Sequence, residues 1–183
     1  MRKSKGFVSA VMLVVSMAVV ACASTRTSKS AGEQLDDSVT TGRVKAALIA
    51  DPVTKAHQID VETFKGTVQL NGFVDSSASK ERAAQVAKNT KGVTAVRNNL
   101  TVRADGGPSG SERVDDAAIT ARVKTALAGD PRTRAHQVNV ETREGAVQLS
   151  GFVDTSEAKS TAEELARNVD HVKSVDNEID VKK

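Results

Sequence analysis

A segment that repeats at a constant offset constrains this chain more than any other feature. Asp51-Pro52 returns as Asp130-Pro131, and Ala56-His57-Gln58 as Ala135-His136-Gln137. Val68-Gln69-Leu70 returns as Val147-Gln148-Leu149, and Gly72-Phe73-Val74-Asp75 as Gly151-Phe152-Val153-Asp154. The offset is 79 residues throughout, with no gap, and about half the positions of 37–104 and 116–183 are identical. Two copies are too few for a solenoid, which needs about three units to bury a continuous core. Each copy of 68 residues must therefore close around its own core, at a size where one core is marginal. The 183 residues include no Trp, no Tyr and 4 Phe, so that core is aliphatic.

Within a copy the hydrophobic period changes in a set order. Val44, Ala47 and Leu48 recur at helical spacing, as do Ile119, Val123, Ala126 and Leu127. Asp51-Pro52 closes the helix, because the residue before proline avoids helical geometry. Ile59, Val61 and Thr63 alternate as a strand does, Lys65-Gly66 turns, and Val68 and Leu70 alternate again, which predicts a hairpin. Ser76 or Ser77 caps a second helix that buries Ala83, Val86 and Ala87. Gly92 is expected to end it, and His171 stands at that place in the second copy, where it is a less comfortable stop. Val93, Val96, Leu100 and Val102 make a last strand. The order α-β-β-α-β predicts an α+β fold: a three-stranded sheet with two helices packed on one face. The other face is expected to be open to a partner and lined by polar residues such as Glu62 and Gln69.

The N-terminus reads as an export address. Arg2, Lys3 and Lys5 precede an apolar run from Phe7 to Val20, the layout of a signal peptide, and the run is too short for a comfortable membrane span. It ends in Val19-Val20-Ala21-Cys22, and Cys22 is the single cysteine. A small residue before a cysteine resembles the lipobox of bacterial lipoproteins, which implies lipid attachment to Cys22. Ala21-Cys22-Ala23 also fits the small-x-small pattern of ordinary signal peptidase, which would release a soluble protein. The expected organisation is a signal peptide with lipobox over 1–22, a flexible tether over 23–36, one copy over 37–104, a Gly/Pro/Ser linker over 105–115 and the second copy over 116–183.

Val68 to Val74 with Gly92 to Val102, and Val147 to Val153 with Val172 to Val181, resemble the motifs of the BON domain family. The chain is thus read as two tandem α-β-β-α-β BON-type domains. The resemblance implies non-enzymatic work in envelope integrity and envelope or osmotic stress, with anionic phospholipid head groups and envelope proteins as partners. It implies no cofactor, and a periplasmic location anchored at the outer membrane through Cys22. A soluble periplasmic chaperone is the alternative. In lipoprotein relatives the second domain contacts phospholipid partly through an aromatic residue, whereas neither copy here has Trp or Tyr.

Charge separates the copies. The first holds 10 bases and 6 acids, the second 10 bases and 12 acids. Without the three signal-peptide bases the chain has 23 bases and 23 acids, so its pI of about 9.1 gives no ground for a nucleic-acid partner. The basic first copy is expected to face lipid head groups through Lys80, Arg82, Lys88 and Lys91. No residues have metal-ligand spacing: His57 and His136 are equivalent positions before a strand, and Asp51 and Asp130 are read as turn residues. No catalytic residue, metal site or phosphate-binding glycine loop is expected.

Overall fold

The computed structural model describes residues 31–54, 59–103, 110–133 and 138–182. The first copy runs α1 (Ala31–Ala50), β1 (Ile59–Phe64), β2 (Thr67–Val74), α2 (Ser77–Lys88), β3 (Ala95–Asn98) and β4 (Thr101–Val102). The second runs α3 (Gly110–Gly129), β5 (Val138–Arg143), β6 (Ala146–Val153), α4 (Ser156–Arg167) and β7 (Ser174–Val181). β2 is central: it pairs antiparallel with β1, and parallel with β3 and then β4. β6 takes the same place between β5 and β7. The expected order therefore holds in both copies, with β3 and β4 as two pieces of the last strand.

Both first helices begin before the bounds expected for them. α1 takes in 31–36 of the expected tether, and α3 takes in 110–115 of the expected linker. Glu33, Gln34 and Leu35, like Glu112 and Arg113, have good helix propensity, so nothing local stops the helix short of the core-facing turns.

One face of each sheet holds the core. Val44 and Leu48 of α1 pack with Ile59, Val61, Val68, Leu70 and Val74 of the strands and with Ala83 and Ala87 of α2. Ile119, Val123 and Leu127 do the same against Val138, Val140, Val147, Leu149, Ala162 and Ala166. Alanines on the buried side of the second helix let it lie close to the sheet. Ser76 caps α2 by accepting from the Ser79 N–H at 3.1 Å, and Thr155 caps α4 through the Ala158 N–H at 3.1 Å.

The C-cap of α2 is Asn89 and that of α4 is Asn168, both in right-handed helical geometry. Gly92 and His171 therefore do not end these helices. They turn the loop beyond them, with φ of 100° and 71°. A Cβ on Gly92 would come within 2.4 Å of the Thr40 hydroxyl, whereas the position opposite His171 is Ile119.

Buried aspartates tie each first helix to its hairpin. Lys65 and Gly66 both have positive φ, 49° and 73°, the two-residue turn whose twist suits a hairpin. Their N–H groups donate to Asp37 of α1 at 2.8 and 2.9 Å. In the second copy Glu144 and Gly145 donate to Asp116 at 2.7 and 2.9 Å. A hydroxyl bond of 2.7 Å joins Thr41 to Thr63, and another joins Thr120 to Thr142.

Candidate functional site

The sheet face opposite the helices is closed by the other copy. Alternation along β1 and β2 sends Asp60, Glu62, Phe64, Gln69, Asn71 and Phe73 away from the core. Asp60, Glu62, Phe64 and Gln69 among them meet residues of the second sheet, giving four layers: helices, sheet, sheet, helices. Glu62 and Gln69, expected at an open surface, lie in this seam. Gln69 is 0% exposed and Gln148 2%. The partner that docks on this face is the second copy itself.

The seam is built around a pseudo-two-fold exchange. The Gly151 N–H donates to Gln69 Oε1 at 3.0 Å, and the Gly72 N–H donates to Gln148 Oε1 at 2.5 Å. Gln69 Nε2 donates to the Glu178 carbonyl at 3.4 Å, and Gln148 Nε2 to the Asn99 carbonyl at 2.8 Å. Each glutamine thus uses both ends of its amide on the opposite copy. Gly72 and Gly151 have φ of 110° and 118°, a geometry open to glycine, so these two N–H groups leave the ladder and reach across the seam.

Other contacts depart from the symmetry, and they use charge. Arg97 on β3 pairs with Asp180 on β7 at 2.8 Å, and Gln69 Nε2 also donates to Asp180 at 2.5 Å. Arg103 lies 3.9 Å from Glu144. Asn139 donates to Glu62 at 2.9 Å, while the symmetry-related positions are both acidic, Asp60 and Glu141. Desolvation first and Asp60 second hold the Glu141 carboxyl above its usual range. Burial, then Asp176, also raises Glu178, opposed by Lys159 and by Lys80 across the seam. The Phe64 and Phe152 rings stack with centroids 5.2 Å apart, and the Lys65 and Lys182 ammonium groups lie over the Phe64 ring. Part of the charge difference between the copies is therefore spent on holding them together.

The four cations expected at a lipid surface separate. Arg82 is paired with Asp51 at 2.7 Å. Lys80 is half-buried and acts on Glu178. Lys88 and Lys91 are exposed. Cys22, His57 and His136 lie outside the described residues. Asp51 and Asp130 act as turn residues, each accepting from the backbone N–H two positions on at 2.9 Å. Thr54 and Thr133 then return their hydroxyls to the Leu48 and Leu127 carbonyls, closing the ends of α1 and α3. Among the described residues no three His, Cys, Asp or Glu side chains are grouped to hold a metal, and no helix is long and apolar enough to cross a membrane. A cleft of about 500 Å³ beside His171 is lined by both signs of charge, including Asp115, Arg122, Glu144 and Lys173.

Arg132 donates to Asp130 from its side chain and backbone, and this holds the Asp130 carboxyl down at about 2. The charged form is favoured in the folded chain, so its contribution is present above the ordinary aspartate range and is lost as pH falls toward 2. A carboxyl-detected NMR titration is expected to show this midpoint, and Arg132→Ala, which removes the side-chain donors and keeps the backbone N–H, is expected to move it part of the way back to the ordinary range.

Comparison with known proteins finds the same duplication. The family model described as "BON domain" matches residues 36–104 and 115–183. The chain is 42% identical over 151 residues to the Osmotically-inducible protein Y of Escherichia coli (strain K12), covering 82% of this chain and 75% of that protein. It is 32% identical to the Outer membrane lipoprotein DolP of Haemophilus influenzae, over 80% of this chain and 75% of that one. A 21 kDa hemolysin of Actinobacillus pleuropneumoniae is 33% identical over the same shares. Among solved structures, the C-terminal domain of CdsD from Chlamydia trachomatis aligns over 78% of this chain and 96% of its own, at 14% identity and a TM-score of 0.30.

Proposed function

The chain belongs to the BON domain family, and from that premise we propose that it is a non-enzymatic envelope protein that binds anionic phospholipid surfaces and supports outer-membrane integrity under envelope or osmotic stress. Relatives named for osmotic induction and as an outer membrane lipoprotein support a role in the envelope or in osmotic stress. One observation carries the finer reading. The sheets bury each other's free faces, so the helix layers are the broad surfaces left for a partner, and the layer of the basic copy presents Lys88 and Lys91. Basic side chains near an anionic surface contribute about 1 kcal/mol each, within a screening distance of about 10 Å at moderate salt.

Cosedimentation with phosphatidylcholine vesicles, with and without phosphatidylglycerol, tests the reading. Binding is expected only to the anionic vesicles, fading as salt rises. Lys88→Gln with Lys91→Gln should weaken it by about 2 kcal/mol, roughly thirtyfold. Equal binding to neutral and anionic vesicles would sink it. The lipid anchor is a separate part of the proposal, tested by intact mass: a diacylglyceryl group on Cys22 is expected, and an unmodified chain cleaved after Ala23 would favour the soluble chaperone.

A further inference from the structure

The outer face of α1 carries a second pattern that the core does not use. Leu35, Val39, Gly42, Ala46 and Ile49 recur at alternating spacings of four and three residues, and exposed Val53 lies past the helix end, in the Asp51-Pro52 turn. That spacing returns to one side of the helix, opposite buried Val44 and Leu48. Leu35 is 66% exposed, Ile49 73%, Val53 44% and Val39 41%, which makes them four of the five large apolar side chains exposed among the described residues. Single exposed apolar residues are ordinary, but a row of them along one helix is a contact surface.

The second copy is an internal comparison. On α3 the positions of Val39, Gly42, Ala46 and Ile49 hold Ala118, Ala121, Thr125 and Ala128, all exposed and all small or polar, with Arg132 in place of Val53; Leu35 corresponds to Val114. The backbone frame is shared, and what belongs to the first copy alone is the large apolar side chain at Val39 and at Ile49.

Charge selects what covers the row. Exposed Arg43 stands on one flank of its middle and exposed Lys45 on the other, the latter 3.6 Å from Asp60. Asp36 is a carboxylate near the row, at its N-terminal end and away from both cations. A second α1 laid along the row in either direction would set Arg43 and Lys45 against like charges beside Gly42 and Ala46. An anionic bilayer accepts both flanks at once. A helix with apolar side chains beneath and Lys or Arg at its margins suits the head-group region, where the aliphatic stems lie along apolar surface and the charged ends stay wet.

We infer that Leu35, Val39 and Ile49 are the side chains by which this protein enters an anionic phospholipid surface, with the second copy held away from the bilayer by the sheet-to-sheet seam. The inference rests on the phospholipid reading above and deepens it from surface attraction to insertion.

The absence of Trp and Tyr gives the test a dark background. The chain from residue 23 onward, which contains every described element, carries either Ile49→Trp on α1 or Ala128→Trp on α3. With phosphatidylglycerol-containing vesicles, the Ile49→Trp emission is expected to shift to the blue and resist an aqueous quencher, while Ala128→Trp stays unshifted. Leu35→Ser with Ile49→Ser should lower vesicle affinity at least about tenfold, with the helical circular dichroism unchanged. Cosedimentation of the unsubstituted chain without a blue shift at Ile49→Trp, or a double-serine variant that binds as tightly as its parent, overturns insertion and leaves the head-group reading standing. Failure of the unsubstituted chain to bind at low salt overturns both.

Discussion

Replacing Gln148 with alanine is expected to cost about 3 kcal/mol and to uncouple the two copies, turning one unfolding transition into two. The truncation strands the Gly72 N–H and the Asn99 carbonyl in a seam that excludes water, and it leaves a cavity. Gln69→Ala should act alike through Gly151 and Glu178. The double variant should cost clearly less than the two singles together, because once the seam has opened the second amide has nothing left to hold. Gln148→Glu sharpens the test. A buried carboxyl has a raised pKa, and only its protonated form can donate to Asn99. Its stability should therefore be highest at low pH and fall as pH rises through that pKa. Chemical denaturation followed by circular dichroism reads all four variants; additive singles and one unchanged transition would mean that the copies merely touch.

The second large effect is expected at the aspartate staples. Asp116→Ala removes the acceptor for the Glu144 and Gly145 N–H groups, both at the hairpin turn, and should destabilise the second copy by about 3 kcal/mol. Asp116→Asn keeps one acceptor oxygen and should recover about half of that loss. Asp37→Ala should do the same to the first copy through Lys65 and Gly66. Amide hydrogen exchange locates the damage: Gly145 or Gly66 should lose protection before the helix cores do. Uniform loss across the copy would mean that the aspartate supports the helix and not the turn.

These predictions rest on residues that differ in how readable they were. Ser76 as a cap, Lys65-Gly66 as a turn and Asp51 as a turn residue were legible because each acts within a few positions of itself. The central strand was legible because Val68, Leu70 and Val74 alternate toward one core. Asp37 and Asp116 were missed, since their partners lie 28 and 29 residues away and nothing in a window of sequence joins them. Glu62 and Gln69 are expected at an open surface from sequence, because a polar residue on the outer face of a strand looks the same whether it meets water or a second polar sheet. A signal did exist. Gln69 and Gly72 recur unchanged as Gln148 and Gly151, while Thr67 and Asn71 on the same strand become Ala146 and Ser150. Of the four candidate lipid-facing cations, composition could not tell Arg82, tied to Asp51, from Lys88, exposed on the same helix.

By itself, then, the sequence determined the duplication, the element order and the aliphatic cores. Those features follow from local periodicity and from identity at a fixed offset, neither of which needs a third dimension to be seen. The tertiary structure alone decided that the free faces of the two sheets cover each other, and so which cations and which apolar row remain outside. The physical reason is that hydrogen bonding and charge pairing are satisfied by proximity in space. An amide on Gln69 finds Gly151 82 residues away only after both sheets have formed.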